Sequence, residues 1–525
     1  MTLPAGVPAA VIERPFGAAG WRRAALAALA GAIATLGLAP YHIVPAGFIA
    51  FPMLVLAIDG LARRGDGMAA AFRLGWWFGF GYFINGLWWL GAAMLVDAAA
   101  FWWALPLAVL GLPAVLAVYY GLAVAIARRF WSSGAERILV LALAFTLAEF
   151  LRARLLTGFP WNEIGMMAAP WPLFMQSAAI WGTHGLTLVG VVVFSLPVLA
   201  LRRQAGRPAV AVIGLSLLAF HGVYGAYRLA AELPAPQPEP AHVRIVQPAI
   251  DQSRKWDPAE ANAILRLLMD MTAPRADSPP GEIVVWPESS FPYLISDRSP
   301  VVEAAAQSLG PGARLLAGAA RMEERAGAEP RYYNSILAIR PDGTVDGRFD
   351  KLHLVPFGEY LPFQSLLEQL GIMQLTQLPG GFSAAQERRS GKVDGVPPFL
   401  PLICYEVIFP GEIRRQPGDA FVLNVTNDAW YGDTPGPYQH LAHARLTALA
   451  LGLPLVRAAN SGISVVTDSV GRDVARMDLG ERGTIAAALS APGPETMVSK
   501  HGNLVAWLLS AAALLTVVAL RRSHS

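Results

Sequence analysis

Long apolar stretches restrict what this chain can fold into more than any other feature. Seven such stretches precede residue 230 and one lies near the C-terminus, and each approaches the roughly 20 residues that cross a bilayer. Only 15% of the 525 residues are charged, whereas soluble proteins carry roughly 25%. The sequence therefore predicts a multi-pass α-helical membrane bundle of about eight spans. We place them at 21–38, 42–60, 69–95, 101–127, 136–153, 173–200, 209–228 and 503–520.

The segment between the last two stretches has a different composition. It opens with the proline-rich run "ELPAPQPEPAH", which predicts a linker over 231–242. Beyond it, short β-rich runs such as "EIVVWP" alternate with helical runs such as "AEANAILRLLMDMT". We therefore expect an N-terminal membrane domain of about seven helices over 1–230, a soluble α/β domain over 243–497 and a C-terminal transmembrane helix over 503–520.

Arginines are distributed unequally between the short loops that would connect the spans. An excess of Lys and Arg marks the cytoplasmic loops of a membrane protein. The loops of one side hold little beyond Arg152 and Arg154, so we expect both termini in the cytoplasm and the soluble domain outside, in the periplasm of a bacterial cell. The arginines of the other side are Arg22, Arg23, Arg63, Arg64, Arg128, Arg129, Arg137, Arg202, Arg203, Arg207, Arg521 and Arg522.

Composition also excludes several classes of function. A net charge of only +3 gives no support to general nucleic-acid binding. A single cysteine excludes an intramolecular disulfide and a cysteine-rich zinc site. His440 and His443 lie three apart on a helix-like segment without a third ligand in view, so a structural role is favoured over a metal site.

Three stretches of the soluble domain each place a reactive side chain at or just past a β-like run. Glu288 follows "IVVW", Lys351 lies within "GRFDKLHLVPFGEYLP", and Cys404 ends the strand-like part of "PFLPLICYEVIFP", which begins after Pro401. Covalent acyl transfer needs a thiol that attacks, a carboxylate that takes its proton and a cation that stabilises the oxyanion. Each residue alone has an ordinary structural explanation, so the hypothesis depends on the combination.

These three stretches as a set resemble the Glu–Lys–Cys signature of the nitrilase superfamily. From about residue 20 to 520 the chain also resembles the bacterial apolipoprotein N-acyltransferase family. The resemblance implies an αββα sandwich for the soluble domain, with Glu288 as general base, Lys351 as stabiliser of the tetrahedral intermediate and Cys404 as nucleophile. The supporting residues that it implies around the thiol and the lysine are Glu359, Tyr405, Glu406 and Trp256.

The same resemblance implies an activity. A fatty acyl chain would pass from a membrane phospholipid, at the sn-1 position of phosphatidylethanolamine, to the free α-amino group of a diacylglyceryl-cysteine at an apolipoprotein N-terminus. A thioester on Cys404 would split this last step of lipoprotein maturation into two displacements with ping-pong kinetics. Forming an amide in this way needs neither ATP nor a metal, so we expect no cofactor. We expect a monomer in the bacterial inner membrane.

Two alternatives stay open at this point. A membrane-bound nitrilase-like amidase or hydrolase would hand the acyl group to water, although a soluble amide would not require eight spans. A transporter or lipid-binding protein would place ionisable residues deep within the spans, whereas Asp59, Asp97 and Glu149 lie near predicted ends.

Two polar stretches of the soluble domain favour ordinary structural elements or a position beside the pocket. The run "YYNSILAI" favours an ordinary alternating strand, and "NVTNDAWYGDTPGPYQH" fits either a turn or a loop beside the pocket. In the second run, Asn427, Asp428 and Trp430 are the candidates for a position at a strand exit.

Overall fold

A computed structural model describes residues 20–201, 204–231, 240–276, 278–296, 299–369, 371–376, 378 and 380–523. Most of the predicted linker, 232–239, and the arginines at 202 and 203 lie outside these residues. The chain divides into two compact units. The helical unit comprises the described residues up to Ala231 with Pro410–Glu412 and those from Thr496 onward, and the α/β unit comprises the described residues of 232–409 and 413–495.

The helical unit contains a helix at each of the eight predicted stretches. Its segments are helical because a chain within hydrocarbon must satisfy its backbone hydrogen bonds internally. Among the described residues, six helices are long and apolar enough to cross a membrane, while Trp21–Thr35 and Arg137–Arg152 have only 15 and 16 residues. The six are Val44–Arg63, Met68–Leu95, Ala98–Arg129, Ala178–Leu201, Arg207–Ala230 and Leu504–Arg522.

Several of these helices are composite. The π-turn Leu107–Gly111 and the 3₁₀-turns Val44–Ala46, Trp88–Leu90 and Trp102–Ala104 interrupt the regular α-helix. The α-helical parts are Trp21–Thr35, Gly47–Arg63, Met68–Leu87, Gly91–Leu95, Ala98–Phe101, Leu112–Arg129, Arg137–Arg152, Ile164–Met167, Pro172–Met175, Ala178–Ser195, Val198–Leu201, Arg207–Ala230, Met497–His501 and Leu504–Arg522.

The basic loops of the helical unit meet at one of its ends. Arg23 pairs with Asp66 at 3.2 Å, and Arg128 Nε donates to the Asp66 carbonyl oxygen at 3.1 Å. Near the C-terminus, Arg521 donates to the carbonyl oxygen of Phe130, two residues after Arg128. Arginines from three distant parts of the sequence therefore share one end of the bundle.

The α/β unit is built on two six-stranded sheets. The strands are β1 His242–Gln247, β2 Ile283–Trp286, β3 Arg314–Arg325, β4 Ala328–Ile339, β5 Val345–Asp350, β6 Gly391–Val393, β7 Val396–Ile403, β8 Phe421–Thr426, β9 Leu455–Ala459, β10 Ser464–Thr467, β11 Asp473–Met477 and β12 Gly483–Ala488. The strand orders of the two sheets are β12-β1-β2-β3-β4-β5 and β11-β10-β9-β8-β7-β6. Strands β1, β2 and β3 run parallel to one another, as do β7, β8 and β9, and the other neighbours are antiparallel.

Helices cover the sheets and bury their apolar faces. Ile264 and Leu268 of Ala261–Thr272 pack in one core cluster with Val302 of Pro300–Ala306 and with Trp286 of β2. The helix Pro435–Leu451 packs on β8 and β9, and β1 and β2 contact β9. A fourth helix, Gln364–Gln369, is short. These helices and sheets agree with the predicted helical bundle and α/β domain.

The strand that precedes Cys404 begins earlier than predicted and ends at Ile403, so Cys404 lies just past it. The strand begins at Val396 and not after Pro401, although it contains three prolines. Its neighbour β6 has only three residues, and their pairing with β7 does not extend beyond Phe399. A proline at 401 therefore costs β7 no hydrogen bond to that neighbour, which is why the strand tolerates it.

Candidate active site

The three predicted catalytic side chains follow the C-terminal ends of three strands. Glu288 comes after β2 and Pro287, Lys351 directly after β5, and Cys404 directly after β7. All three are buried, with relative exposures of 7%, 1% and 6%. The structure brings them together: Lys351 Nζ lies 3.6 Å from Glu288 Oε1, and both charges act on the thiol.

A single amide holds the two carboxylates of the site beside the ammonium. Asn334 Nδ2 donates to Glu288 Oε1 at 2.7 Å and to Glu359 Oε1 at 2.8 Å. Lys351 Nζ donates to the same Glu359 oxygen at 2.9 Å, and the Val355 N–H donates to Glu359 Oε2 at 2.8 Å. Because an amide nitrogen carries two donors, Asn334 fixes the separation of Glu288 and Glu359.

This environment keeps Lys351 charged. Burial alone would lower the pKa of Lys351, but the carboxylates of Glu359 and Glu288 outweigh it and raise that pKa well above its usual value. Lys351 is therefore an ammonium throughout the physiological range. It can stabilise negative charge on a substrate oxygen, and it cannot act as a base.

Cys404 combines an unusual backbone with a protonated thiol. Its φ of 50° lies in the left-handed region, which non-glycine residues rarely adopt outside functional sites. Burial, helped by the negative charge of Glu288, raises the pKa of the Cys404 thiol to about 12. The thiolate is the nucleophilic form, so the resting thiol must pass its proton to a base as it attacks.

A buried ionic network supports the backbone of Cys404. His440 Nε2 lies 3.1 Å from the Cys404 carbonyl oxygen, and its Nδ1 lies 2.8 Å from Asp428 Oδ1. Arg457 and Thr426 donate to Asp428 at 2.7 and 2.9 Å. Burial would raise the pKa of Asp428, but Arg457 and His440 outweigh it and lower that pKa to about 2. Asp428 therefore stays ionised and anchors the turn that presents the thiol.

Glu406 ties the cysteine turn to the lysine loop. Its carboxylate accepts hydrogen bonds from the backbone N–H groups of Ile403, at 2.7 Å, and Leu352, at 2.9 Å. It also pairs with Arg388 at 2.9 Å. Burial would raise the pKa of Glu406, but Arg388 and the hydrogen bond from Ile403 lower it below its usual value. Glu406 is thus a fixed anion that joins the segments that carry Cys404 and Lys351.

The last two predicted supporting residues have different environments. Tyr405 is buried, and its ring lies 5.0 Å from that of Phe409. Trp256 is 44% exposed. The residue of its segment that reaches the site is Lys255, whose Nζ donates to the Glu288 carbonyl oxygen at 2.9 Å.

Sequence reasoning missed three residues of this site. The sequence pattern predicts Asn334 only as part of an ordinary strand, and it predicts no role for Lys255 and Tyr431. Burial raises the pKa of the Tyr431 hydroxyl, and the negative charges of Cys404, Asp428 and Glu288 raise it further. One usable signal was the lone asparagine in the otherwise alternating "YYNSILAI", because a buried amide in a strand needs partners. Nothing in the sequence around Lys255 predicts that its side chain points into the site.

Two families match the two parts of the sequence. Residues 30–196 match the apolipoprotein N-acyltransferase N-terminal domain, and residues 242–493 match the carbon-nitrogen hydrolase family. The chain is 47% identical to an apolipoprotein N-acyltransferase of Brucella melitensis, over 95% of each chain. It is 50% identical to one of Rhizobium etli, over 90% of each chain.

Solved structures of carbon-nitrogen hydrolases match about half of this chain. A carbon-nitrogen hydrolase superfamily protein from Xanthomonas campestris, with an arsenic adduct in its active site, is 18% identical. The match covers 48% of this chain and 91% of that one, with a TM-score of 0.36.

Proposed function

The chain belongs to the apolipoprotein N-acyltransferase family, and we propose that its acyltransferase activity proceeds through a thioester on Cys404. One observation carries the proposal. A buried thiol, a carboxylate and a permanently charged ammonium meet at the ends of three strands. These are the three groups that covalent acyl transfer needs.

In the first half-reaction, the acyl donor is an ester. Glu288 takes the proton of Cys404 as the sulfur attacks the ester carbonyl carbon, and a tetrahedral oxyanion forms. Among the described residues, Lys351 forms ion pairs with Glu288 and Glu359, and an ammonium has three N–H donors, so one can serve the oxyanion. The C–O bond then breaks, Glu288 returns its proton to the leaving alkoxide, and the acyl group stays on sulfur.

In the second half-reaction, the acceptor is an amine. An α-amino group has a pKa near 8, so a useful fraction is neutral at pH 7. Its nitrogen attacks the thioester, Glu288 takes the surplus proton, the C–S bond breaks, and Glu288 gives that proton to the leaving sulfur. The products are an amide and the thiol of Cys404, and neither half-reaction consumes ATP.

A lipoprotein acceptor and a membrane lipid donor follow from the family, and so does an inner-membrane location. We propose phosphatidylethanolamine as donor, a monomeric enzyme, cytoplasmic termini and a periplasmic catalytic domain over 243–497. The clustering of basic loops at one end of the helical unit supports this orientation. We also propose that Glu359, Tyr405 and Glu406 hold the catalytic loops and that exposed Trp256 contacts substrate.

Intact-mass analysis after incubation with phospholipid alone tests the thioester. We expect the protein to gain the mass of one fatty acid minus water and one equivalent of lysophospholipid to appear. Hydroxylamine should remove the added mass, because it cleaves thioesters readily. Addition of a diacylglyceryl lipopeptide should discharge the acyl group as an amide. Transfer to the lipopeptide without any detectable acyl-enzyme would contradict the proposal.

The same experiment separates the hydrolase alternative. A hydrolase would release free fatty acid from the acyl-enzyme at the same rate with or without the lipopeptide. We expect instead that the acyl-enzyme persists until the amine arrives. Free fatty acid as the main product in the presence of lipopeptide would establish the hydrolase.

Glu288→Gln should slow thioester formation by about 10²–10⁴-fold, the usual contribution of a general base. The glutamine keeps the size of the side chain and an oxygen that can accept from Asn334, so the fold should persist. The rate of mass gain measures the effect. Glu303→Gln, on an exposed position of Pro300–Ala306, is the matched control. Equal rates for Glu288→Gln and the control would exclude Glu288 as the base.

A further inference from the structure

Lys255 is a buried ammonium that the mechanism above does not use. Its side chain is 1% exposed, and its Nζ donates to the backbone carbonyl oxygen of Glu288 at 2.9 Å. The charges of Glu288 and Cys404 both act on it. Lysine is almost never fully buried without a partner of opposite charge, so its position beside two catalytic groups requires an explanation.

The sum of the charges in the site explains why a cation lies at this position. The anions Glu406 and Asp428 are each neutralised within the site by an arginine of their own, Arg388 and Arg457. Of the remaining groups, Glu288 and Glu359 carry two negative charges, and Lys351 carries one positive charge. The site without Lys255 therefore holds one uncompensated negative charge.

That surplus charge opposes ionisation of the thiol. Without Lys255, loss of the Cys404 proton to solvent would take the total charge from −1 to −2. With Lys255 protonated, the same loss takes the total only from zero to −1. Because burial penalises net charge strongly, a second cation favours the thiolate.

Building on the proposed function, we infer that Lys255 is a positioning residue of the reaction: it holds the Glu288 backbone and balances the charge of the Cys404 thiolate. It does not touch the acyl group.

The ionisation of Lys255 fits this role. Burial lowers the pKa of Lys255 to about 8, although Glu288 and Cys404 act in the opposite direction. The cation is therefore present at pH 7 and lost above about pH 8. The groups whose charges act on its neighbour Cys404 include Glu288, Lys351 and Asp428.

The single cysteine of the chain makes the test direct. The full-length protein in detergent is treated with iodoacetamide, a small neutral reagent, between pH 6.5 and 9.5. Alkylation of Cys404 is followed by intact mass. The rate reports the thiolate fraction and requires no phospholipid. The variants are Lys255→Met, Lys255→Arg and, as an exposed lysine on β6, Lys392→Met.

Three different pH profiles are expected. Lys255→Met should react about tenfold more slowly than the wild type at pH 7, which corresponds to a thiol pKa raised by about one unit. This difference should vanish above about pH 9, where the wild-type Lys255 is also neutral. Lys255→Arg should match the wild type at pH 7 and exceed it by about tenfold at pH 9.5, since arginine does not titrate. Lys392→Met should follow the wild type throughout.

A Lys255→Met profile that coincides with the wild type would overturn the inference. If that variant does not fold, the arginine variant decides. An alkylation rate of Lys255→Arg that coincides with the wild-type rate at pH 9.5 would also overturn the inference. Failure of the proposed function looks different: the wild type would then gain no acyl mass from phospholipid, whatever the alkylation profiles show.

Discussion

Cys404→Ala abolishes acyl transfer while the protein stays folded: this is the largest effect that we expect. Without the sulfur no acyl-enzyme can form, and only binding and oxyanion stabilisation remain. We expect the transfer rate to fall by about 10⁴-fold or more. The rate is measured with labelled phospholipid and a lipopeptide, and the acyl-enzyme by intact mass.

Survival of the fold follows from the state of the thiol. Because the pKa of the Cys404 thiol is raised to about 12, the resting thiol is neutral. Removing it therefore leaves no buried charge without a partner. An alanine must adopt the same φ of 50°, so backbone strain is unchanged. We therefore expect a thermal unfolding midpoint within a few degrees of the wild type. Matching midpoints would show that lost activity reflects lost chemistry.

Cys404→Ser tests whether the sulfur itself is needed as the nucleophile. A serine hydroxyl is a far weaker nucleophile at the same position, and any ester that it forms resists attack by an amine. We expect no transfer, or a slow mass gain that hydroxylamine removes poorly. Substantial transfer by Cys404→Ala would mean that the amine attacks the phospholipid directly, with Glu288 and Lys351 acting without a covalent intermediate.

The sequence was sufficient to predict the main architecture and the central groups of the site. Apolar stretches near 20 residues predict helices whatever their tertiary partners, because hydrocarbon leaves the backbone no other choice. Glu288, Lys351 and Cys404 were identifiable because each follows a β-rich run within a distinctive local motif. What made them convincing was the resemblance of the three motifs together.

The groups that tune the site were not predictable, since their roles arise from contacts between distant segments. Asn334 bridges Glu288, 46 positions before it, and Glu359, 25 positions after it. The sequence of its own strand predicts neither contact. Lys255 and exposed Trp256 are adjacent in sequence, yet only the lysine side chain turns inward. The length of individual helices was not predictable either. Trp21–Thr35 lies in a longer apolar stretch, and local turns set its C-terminal boundary.

Lys351→Met should remove both catalysis and stability. The ammonium is the group available to the oxyanion, and the loss of one such donor costs about 10²–10³-fold in rate. It also neutralises Glu359 and Glu288, which would be left as buried carboxylates without their cation. Breaking a buried pair in this way costs about 3–5 kcal/mol, seen as a lower thermal unfolding midpoint.

A double variant separates the two effects. Lys351→Met combined with Glu359→Gln removes one carboxylate along with the cation, so the unfolding midpoint should recover in part. Thioester formation should not recover, because no donor has returned to the oxyanion. Lys392→Met on β6 is the control for loss of an exposed lysine and should keep both properties. If the double variant regained wild-type acylation, the role of Lys351 would be to neutralise Glu359 alone, and the oxyanion would need another donor.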